Sequence, residues 1–310
     1  MSEALKAYPL NRDGKFKTWV ATIGNFDGLH VGHLELLNDM RNKARELNAG
    51  IALITFNPHP REILFPNKEI PKIYDWNSKL KLCEQYGVDT VYQINFDKSM
   101  AEMEAEDFVN YLFHQLNVAQ LYVGYDFCFG KNRSGNFNLL KKLSNKKNIK
   151  VNRIKLVEIN GNVVSSSEIR TCLAKGDFDV ATNMLGRNWS FRSIVQEGNK
   201  MGAKLGFPTF NIYPTSKMPI SNGVYASVAV IDKISYNAVT NLGLRPTIHE
   251  NSKVVAETHI LNYSGDLYDQ EVEVVPIQFL RSEIKFQNIE FLKQQIAEDI
   301  QQAEQIFSLL

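Results

Sequence analysis

At 310 residues with a formal net charge of +1, the chain is long for one domain, and it has no global charge that would select nucleic acid, membrane surfaces or acidic partners. Its three cysteines, Cys83, Cys128 and Cys172, are far apart and odd in number, which argues against a disulfide framework or a zinc site and fits a reducing, cytoplasmic setting. The longest apolar runs, such as IALITF at 51–56, are too short to cross a bilayer, and no charged-then-apolar leader opens the chain. A soluble protein with two cores and no membrane partner is expected.

Up to about Leu185, short apolar runs alternate with helical patterns. TWVATI, IALITF, DTVYQINF, QLYVG and VNRIKLV read as strands, while Leu34, Leu37, Met40, Ala44 and Leu47 fall at helical spacing between His33 and Leu47. A βαβ series of this kind builds a parallel sheet with helices on both faces, and ligands bind at the carboxyl ends of its strands.

The first such end reads TIGNFDGLHVGH, Thr22 to His33. Gly24 and Gly28 let the backbone curl close to a ligand, with Phe26 and Asp27 between them. A helix starting near Gly32 directs its positive end at the same place. His30 and His33 are one helical turn apart, so both imidazoles can donate to one anion. Such a site suits charge developing on a phosphate during transfer.

The run Lys141 to Lys155 holds seven basic residues and no acidic one. No aromatic residue interleaves to stack on bases, so it reads first as a solvated helix end and strand edge, with attraction of a phosphate-bearing substrate as the alternative. GYDFCFGKN, Gly124 to Asn132, fails as a P-loop: it has one residue too many between the glycines, and Asn132 where Ser or Thr is needed. No dinucleotide fingerprint, zinc helix or nucleophile elbow is present.

Beyond Gly186 the pattern changes to short β-rich runs separated by turn signals: SFRSIVQ, TFNIYP, GVYASVAVI, NAVTNLG, VVAETHILNY and LYDQEVEVVPIQFL. Regular short strands predict a closed antiparallel barrel. Asn288 is placed to cap a final helix whose Ile289, Leu292, Ile296, Ile300 and Ala303 share one face. The expected boundary lies at 186/187.

GNFDGLHVGH resembles the H-x-G-H signature of the nucleotidylyltransferase superfamily. The wider set resembles the bacterial bifunctional riboflavin kinase and FAD synthetase family along essentially the full chain. Its amino-terminal members are TFNPHPRE (55–62), VGYDFCFGKNRSG (123–135) and VSSSEIRTCLAKGD (164–177). Its carboxyl members are LGFPTFNI (205–212), NGVYA (222–226), LGLRPT (242–247) and AETHILNYSGDLY (256–268).

For residues 1–186 the resemblance implies a Rossmann-like domain that adenylylates FMN with ATP to give FAD and pyrophosphate. His30 and His33 would hold the ATP phosphates, and Ser166, Ser167 and Arg170 the departing ones. Asp126 would organise flavin or magnesium, with Phe127 and Phe129 as candidate flavin contacts and core packing as the rival reading of both. For residues 187–310 it implies a barrel that phosphorylates riboflavin to FMN. Glu257 would be its base, Thr209 and Asn211 would bind Mg2+ and ATP phosphates, and Gly206 would let a loop close over phosphate.

The sequence departs from the family pattern in places: Asn262 for Asp, Asp269 for Gly after LY, and Arg192 and Ser193 where a glycine is expected. Asp269 would be strained at positive φ. Two rival readings are a monofunctional FAD synthetase whose barrel only binds flavin, and a flavin-sensing regulator that binds nucleic acid through the basic run. Intact phosphate motifs in both halves favour the bifunctional enzyme, with small-molecule partners and no nucleic acid. The sequence leaves room for a homo-oligomer.

Overall fold

The computed structural model describes residues 5–11, 16–198, 201–245 and 253–309. They fall into two compact units: residues 1–70 with 76–166, and residues 71–75 with 167–310. Pro246 and Thr247 of the LGLRPT motif lie outside the described residues.

The first unit runs β1 (Lys6–Pro9), β2 (Trp19–Ile23), α1 (Val31–Leu47), β3 (Gly50–Phe56), α2 (Pro60–Leu64), α3 (Trp76–Gln85), β4 (Thr90–Ile94), α4 (Lys98–Ala101), α5 (Ala105–Gln115), β5 (Val118–Val123), α6 (Phe137–Asn145), β6 (Lys150–Arg153) and a small hairpin, β7 (Glu158–Ile159) with β8 (Asn162–Val163). The main sheet has the order β1-β4-β3-β2-β5-β6. Strands β2 to β6 are parallel, and β1 is antiparallel to β4. All five expected strands form. Sequence reading missed β1, because KAYP is a mostly exposed four-residue edge with no alternation to signal it.

β2 is buried along its whole length, as a strand covered on both faces must be, and this is why it reads as a continuous apolar run. From β2 the chain builds outward through β3 and β4, then crosses back to place β5 on the other side of β2. The order therefore reverses between β2 and β5, where Ile23 pairs in register with Val123. That reversal opens a crevice at the carboxyl ends of the two strands. On α1 the buried residues are Leu36, Leu37, Met40 and Ala44; Leu47, expected on the stripe, is 42% exposed in the last turn.

The second unit comprises α7 (Ser166–Lys175, its first residue belonging to the first unit), α8 (Phe178–Leu185), β9 (Phe191–Ile194), α9 (Met201–Leu205), β10 (Phe210–Ile212), β11 (Gly223–Ile231), β12 (Ile234–Arg245), β13 (Lys253–Ile260), β14 (Glu271–Arg281) and α10 (Ile289–Phe307). Its strands form an antiparallel sheet in the order β10-β13-β12-β11-β14-β9. Past the end of β9, the Gln196 amide donates to the Asn211 carbonyl at 2.9 Å, which joins the two outer strands and nearly closes the barrel. Asp232 and Lys233, at φ 48° and 68°, make the two-residue turn between β11 and β12.

Inside the barrel, Phe210, Ile212, Tyr225, Leu242 and Ala256 are buried around a chain of hydroxyls: Ser227 to Thr240 at 2.6 Å and Thr240 to Thr258 at 2.9 Å. Outside, α10 packs Ile300, Ala303, Ile306 and Phe307 against Val224, Ala226 and Val239. Asn288 caps this helix, its side chain accepting from the Phe291 amide at 2.9 Å. The expected stripe needs one correction: Ile289 is 55% exposed, whereas Asp299 is buried. Asp299 accepts two hydrogen bonds from the Arg281 guanidinium, at 2.8 and 2.7 Å, a bidentate pairing that lets a carboxylate occupy the inner face.

Of the departures, Arg192 stands directly opposite Glu273 and pairs with it at 3.0 Å. Asp269 and Asn262 do adopt positive φ, at 62° and 54°. Asp and Asn are the non-glycine residues that tolerate this region best.

Candidate active sites

The loop leaving β2 is held from beneath. The Gly24 amide donates to the Ile54 carbonyl at 3.1 Å, and the Asn25 carbonyl accepts from Thr55 Oγ1 at 3.1 Å and Lys79 Nζ at 2.9 Å. Phe26, Gly28 and Leu29 all take positive φ (46°, 95° and 43°), a region that non-glycine residues rarely adopt, and the turn is over-determined by burial of Phe26, Asp27 and Leu29. At its end His30 caps α1 through its carbonyl, which accepts from the His33 and Leu34 amides at 2.7 and 3.1 Å.

The two imidazoles are stacked, centroids 3.7 Å apart and planes 19° from parallel, with Phe26 packed on His33 at 4.8 Å. The one-turn spacing thus places the two imidazoles face to face at the start of α1. A Cβ on Gly32 would lie 3.3 Å from His30 Nδ1, so glycine there lets the ring lie against the start of the helix. No residue of the first helical turn is acidic, so that turn sets no carboxylate of its own against the positive end of α1.

The neighbouring β5 delivers the second loop to the same crevice. Asp126 is exposed there. Phe127 is half-buried and stacks on Phe129 at 5.5 Å, while Phe129 is buried in the core against Phe108. Both phenylalanines proposed from sequence pack on the core, Phe129 buried within it and Phe127 half-buried against it. Phe129 and Gly135 exchange amide hydrogen bonds at 3.1 and 2.8 Å, which pinches off the segment between them. The Arg153 guanidinium lies 4.6 Å from the Tyr125 ring and 5.6 Å from Phe137. The basic run thus has aromatic neighbours in space that its own sequence lacks.

Ser166, the first residue of α7 and the last of the first unit, donates to the Asp27 carbonyl at 2.7 Å. Ser167 is exposed, and Arg170, one turn on, is half-buried. The cysteines are free; burial pushes the Cys83 thiol up to about 12, which removes it from thiolate chemistry.

On the barrel, Asn211 of β10 pairs in register with Glu257 of β13, which pairs with Asn241 of β12. Alternation along strands puts Thr209, Asn211, Glu257 and His259 on one face, opposite the buried Phe210 and Thr258. The backbone approaches two of these side chains closely: a Cβ on Gly198 would fall 2.1 Å from Asn211 Nδ2, and one on Gly202 3.0 Å from Thr209 Oγ1. Gly206, at φ 93°, opens the turn between α9 and Thr209 with open space beside it.

Thr209 and Asn211 offer oxygen atoms of the hard type that Mg2+ takes, and no cluster of three or more His, Cys, Asp or Glu is found among the described residues. The donors fit a cation held mainly through substrate phosphates and water rather than in a protein cage. Sequence reading missed Lys79 and His259, whose positions depend on contacts between distant segments.

Family models confirm what the two geometries suggest: the model for FAD synthetase matches residues 13–168, and the model for riboflavin kinase matches residues 185–307. The chain belongs to the bifunctional riboflavin kinase/FMN adenylyltransferase family. The relative so named from Pseudomonas fluorescens is 37% identical, covering 91% of this chain and 90% of its own. That from Buchnera aphidicola (Schizaphis graminum) is 35% identical, covering 93% and 94%, and that from Escherichia coli K12 is 32% identical, covering 94% and 93%.

Among solved structures, one described as a macrolide-efflux protein from Streptococcus pneumoniae superimposes with a TM-score of 0.80 at 25% identity, covering 96% of this chain and 97% of its own. Among the described residues, no helix of the present chain is long and apolar enough to cross a membrane.

Proposed function

We propose that the family's two reactions divide along this chain, with FMN adenylylation in residues 1–186 and riboflavin phosphorylation in residues 187–310. One observation carries the first assignment: the stacked His30–His33 pair sits at the amino end of α1, on the loop that leaves β2 where the strand order reverses. An FMN phosphate oxygen attacks the α-phosphorus of ATP and pyrophosphate leaves with the bonding electrons. The nucleophile is already ionised near neutral pH, so the protein needs to position and neutralise rather than to remove a proton. His30, His33 and the loop around Gly24, Phe26, Asp27 and Gly28 hold the triphosphate, and Ser166, Ser167 and Arg170 take the departing phosphates. Asp126 and Phe127 face the flavin, and Phe129 supports them from the core.

In the barrel the nucleophile is the riboflavin 5′-hydroxyl, whose proton must go somewhere. Glu257 accepts it as the oxygen attacks the γ-phosphorus and ADP leaves. Thr209 and Asn211 hold Mg2+ and phosphate oxygens, and Gly206 gives the loop its turn. When bound, Mg2+ neutralises charge on the transferring phosphates.

All seven basic residues between Lys141 and Lys155 are exposed, and the reading assigns them to a solvated surface. The reading is of a cytoplasmic enzyme with small-molecule partners, monomeric or homo-oligomeric. Chromatography of products from riboflavin with Mg·ATP, and separately from FMN with Mg·ATP, tests it. FMN and FAD are expected from the first mixture and FAD from the second. FAD from the second alone would replace it with the monofunctional reading.

A further inference from the structure

We propose that His259 is a positioning residue for the riboflavin kinase reaction, a clamp that holds the phosphate-binding turn before β10 onto β13. This rests on the role proposed above for Thr209. The His259 Nδ1 lies 2.7 Å from the Pro208 carbonyl oxygen. A carbonyl oxygen can only accept, so Nδ1 carries the proton and donates. The ring also meets Phe207 edge-to-face, centroids 5.9 Å apart at 87°. One side chain therefore engages both residues between Gly206 and Thr209.

The register explains why the clamp matters. Phe210 is opposite Thr258 and Asn211 opposite Glu257, so continuing the ladder by one residue sets Thr209 across from His259. Beyond Phe210, however, β10 ends, and proline at 208 has no N–H with which to continue the ladder. The turn would then be held to β13 only through side chains, and His259 supplies that link from two residues beyond the base. Gly206, at φ 93° with open space beside it, imposes no packing of its own.

Steady-state kinetics of riboflavin phosphorylation in the full-length protein tests the clamp through three substitutions. His259→Ala is expected to raise the KM for Mg·ATP on the order of 10-fold, the worth of one hydrogen bond, while kcat changes less than about 3-fold, a small fraction of what loss of a general base costs. An asparagine amide nitrogen sits near the place of Nδ1 and a glutamine amide nitrogen near that of Nε2. His259→Asn should therefore restore most of the lost affinity and His259→Gln should not. FMN adenylylation by the same preparations should be unchanged.

Wild-type KM in His259→Ala, or equal rescue by Asn and Gln, overturns the clamp, the second because ring volume alone would then matter. A fall in kcat shared equally by all three variants also overturns it, since that marks general damage to the barrel. Thr209→Ala separates the two claims. If it leaves phosphorylation intact, the reading of Thr209 fails; if it abolishes phosphorylation while the His259 variants behave as wild type, only the clamp fails.

Discussion

On the proposed assignment, the two halves of the chain would solve phosphate chemistry with opposite materials. In the first, the tools are backbone and rings: a positive-φ loop, the start of a helix and two stacked imidazoles only 3.7 Å apart. In the second, they are side chains lined up across adjacent strands, Asn211 beside Glu257 beside Asn241. The difference follows from the nucleophiles. A phosphate arrives ionised and asks only for positioning, whereas an alcohol needs a base, and a strand ladder can hold a carboxylate at a fixed register next to the phosphate ligands.

The sharpest way to break this contrast is to remove the base. Glu257→Gln keeps the size and some hydrogen bonding but cannot take a proton. It should lower FMN formation roughly 100- to 10,000-fold and leave conversion of supplied FMN to FAD at the parent rate. If the variant phosphorylates riboflavin as fast as the parent, the carboxylate has been misassigned.

The reciprocal experiment acts on the rings. His30→Ala or His33→Ala should cut FAD formation from FMN on the order of 100-fold, the usual cost of a preorganised donor, and spare FMN formation. Undiminished FAD synthesis in the double variant would remove the histidines from the mechanism.

The contrast also shows what could be read in advance. GNFDGLHVGH was legible because its chemistry is local: glycines, helix start and both histidines lie within one short stretch. The strands were legible too, since β2 is buried on both faces and the barrel strands alternate. What stayed hidden depends on distant segments. Lys79 reaches the Asn25 carbonyl, Asp299 finds Arg281, and β1 exists as an edge paired with β4. Phe129 belongs to the core rather than the rim because Phe108 of α5 lies against it, which no spacing within its own motif could signal.

Truncation sharpens the comparison at the level of folding. Phe178 packs on the Tyr225 ring at 6.0 Å, Ser221 bonds the Ala174 carbonyl at 3.1 Å, and Trp189 Nε1 donates to the Ile73 carbonyl at 2.7 Å. A fragment starting at Ser167 keeps the first two of these contacts, and a fragment starting at Ser190 loses all three. Burial of a residue such as Phe178 contributes about 1.5–3 kcal/mol, so the shorter fragment should unfold at clearly lower denaturant concentration. Equal midpoints would mean that α7 and α8 add nothing to the barrel.

The smallest effect expected is at Asp269, the departure that looks most damaging in sequence. Its φ of 62° is a conformation glycine adopts freely, so Asp269→Gly relieves the native state. The same change gives the unfolded chain more freedom, which costs roughly 0.4–1 kcal/mol. Asp is already among the residues that tolerate positive φ, so the relief is of similar size and opposite sign. The backbone amide of residue 269, which donates to the Val195 carbonyl at 3.2 Å, is present in either case. The two contributions should cancel to within about 0.5 kcal/mol, the ordinary range for a surface substitution, and the riboflavin phosphorylation rate should stay within about 2-fold of the parent, far from the scale of lost proton transfer. A gain of more than about 2 kcal/mol in urea unfolding would instead show that Asp269 strains the barrel and that the chain tolerates a real cost at this turn.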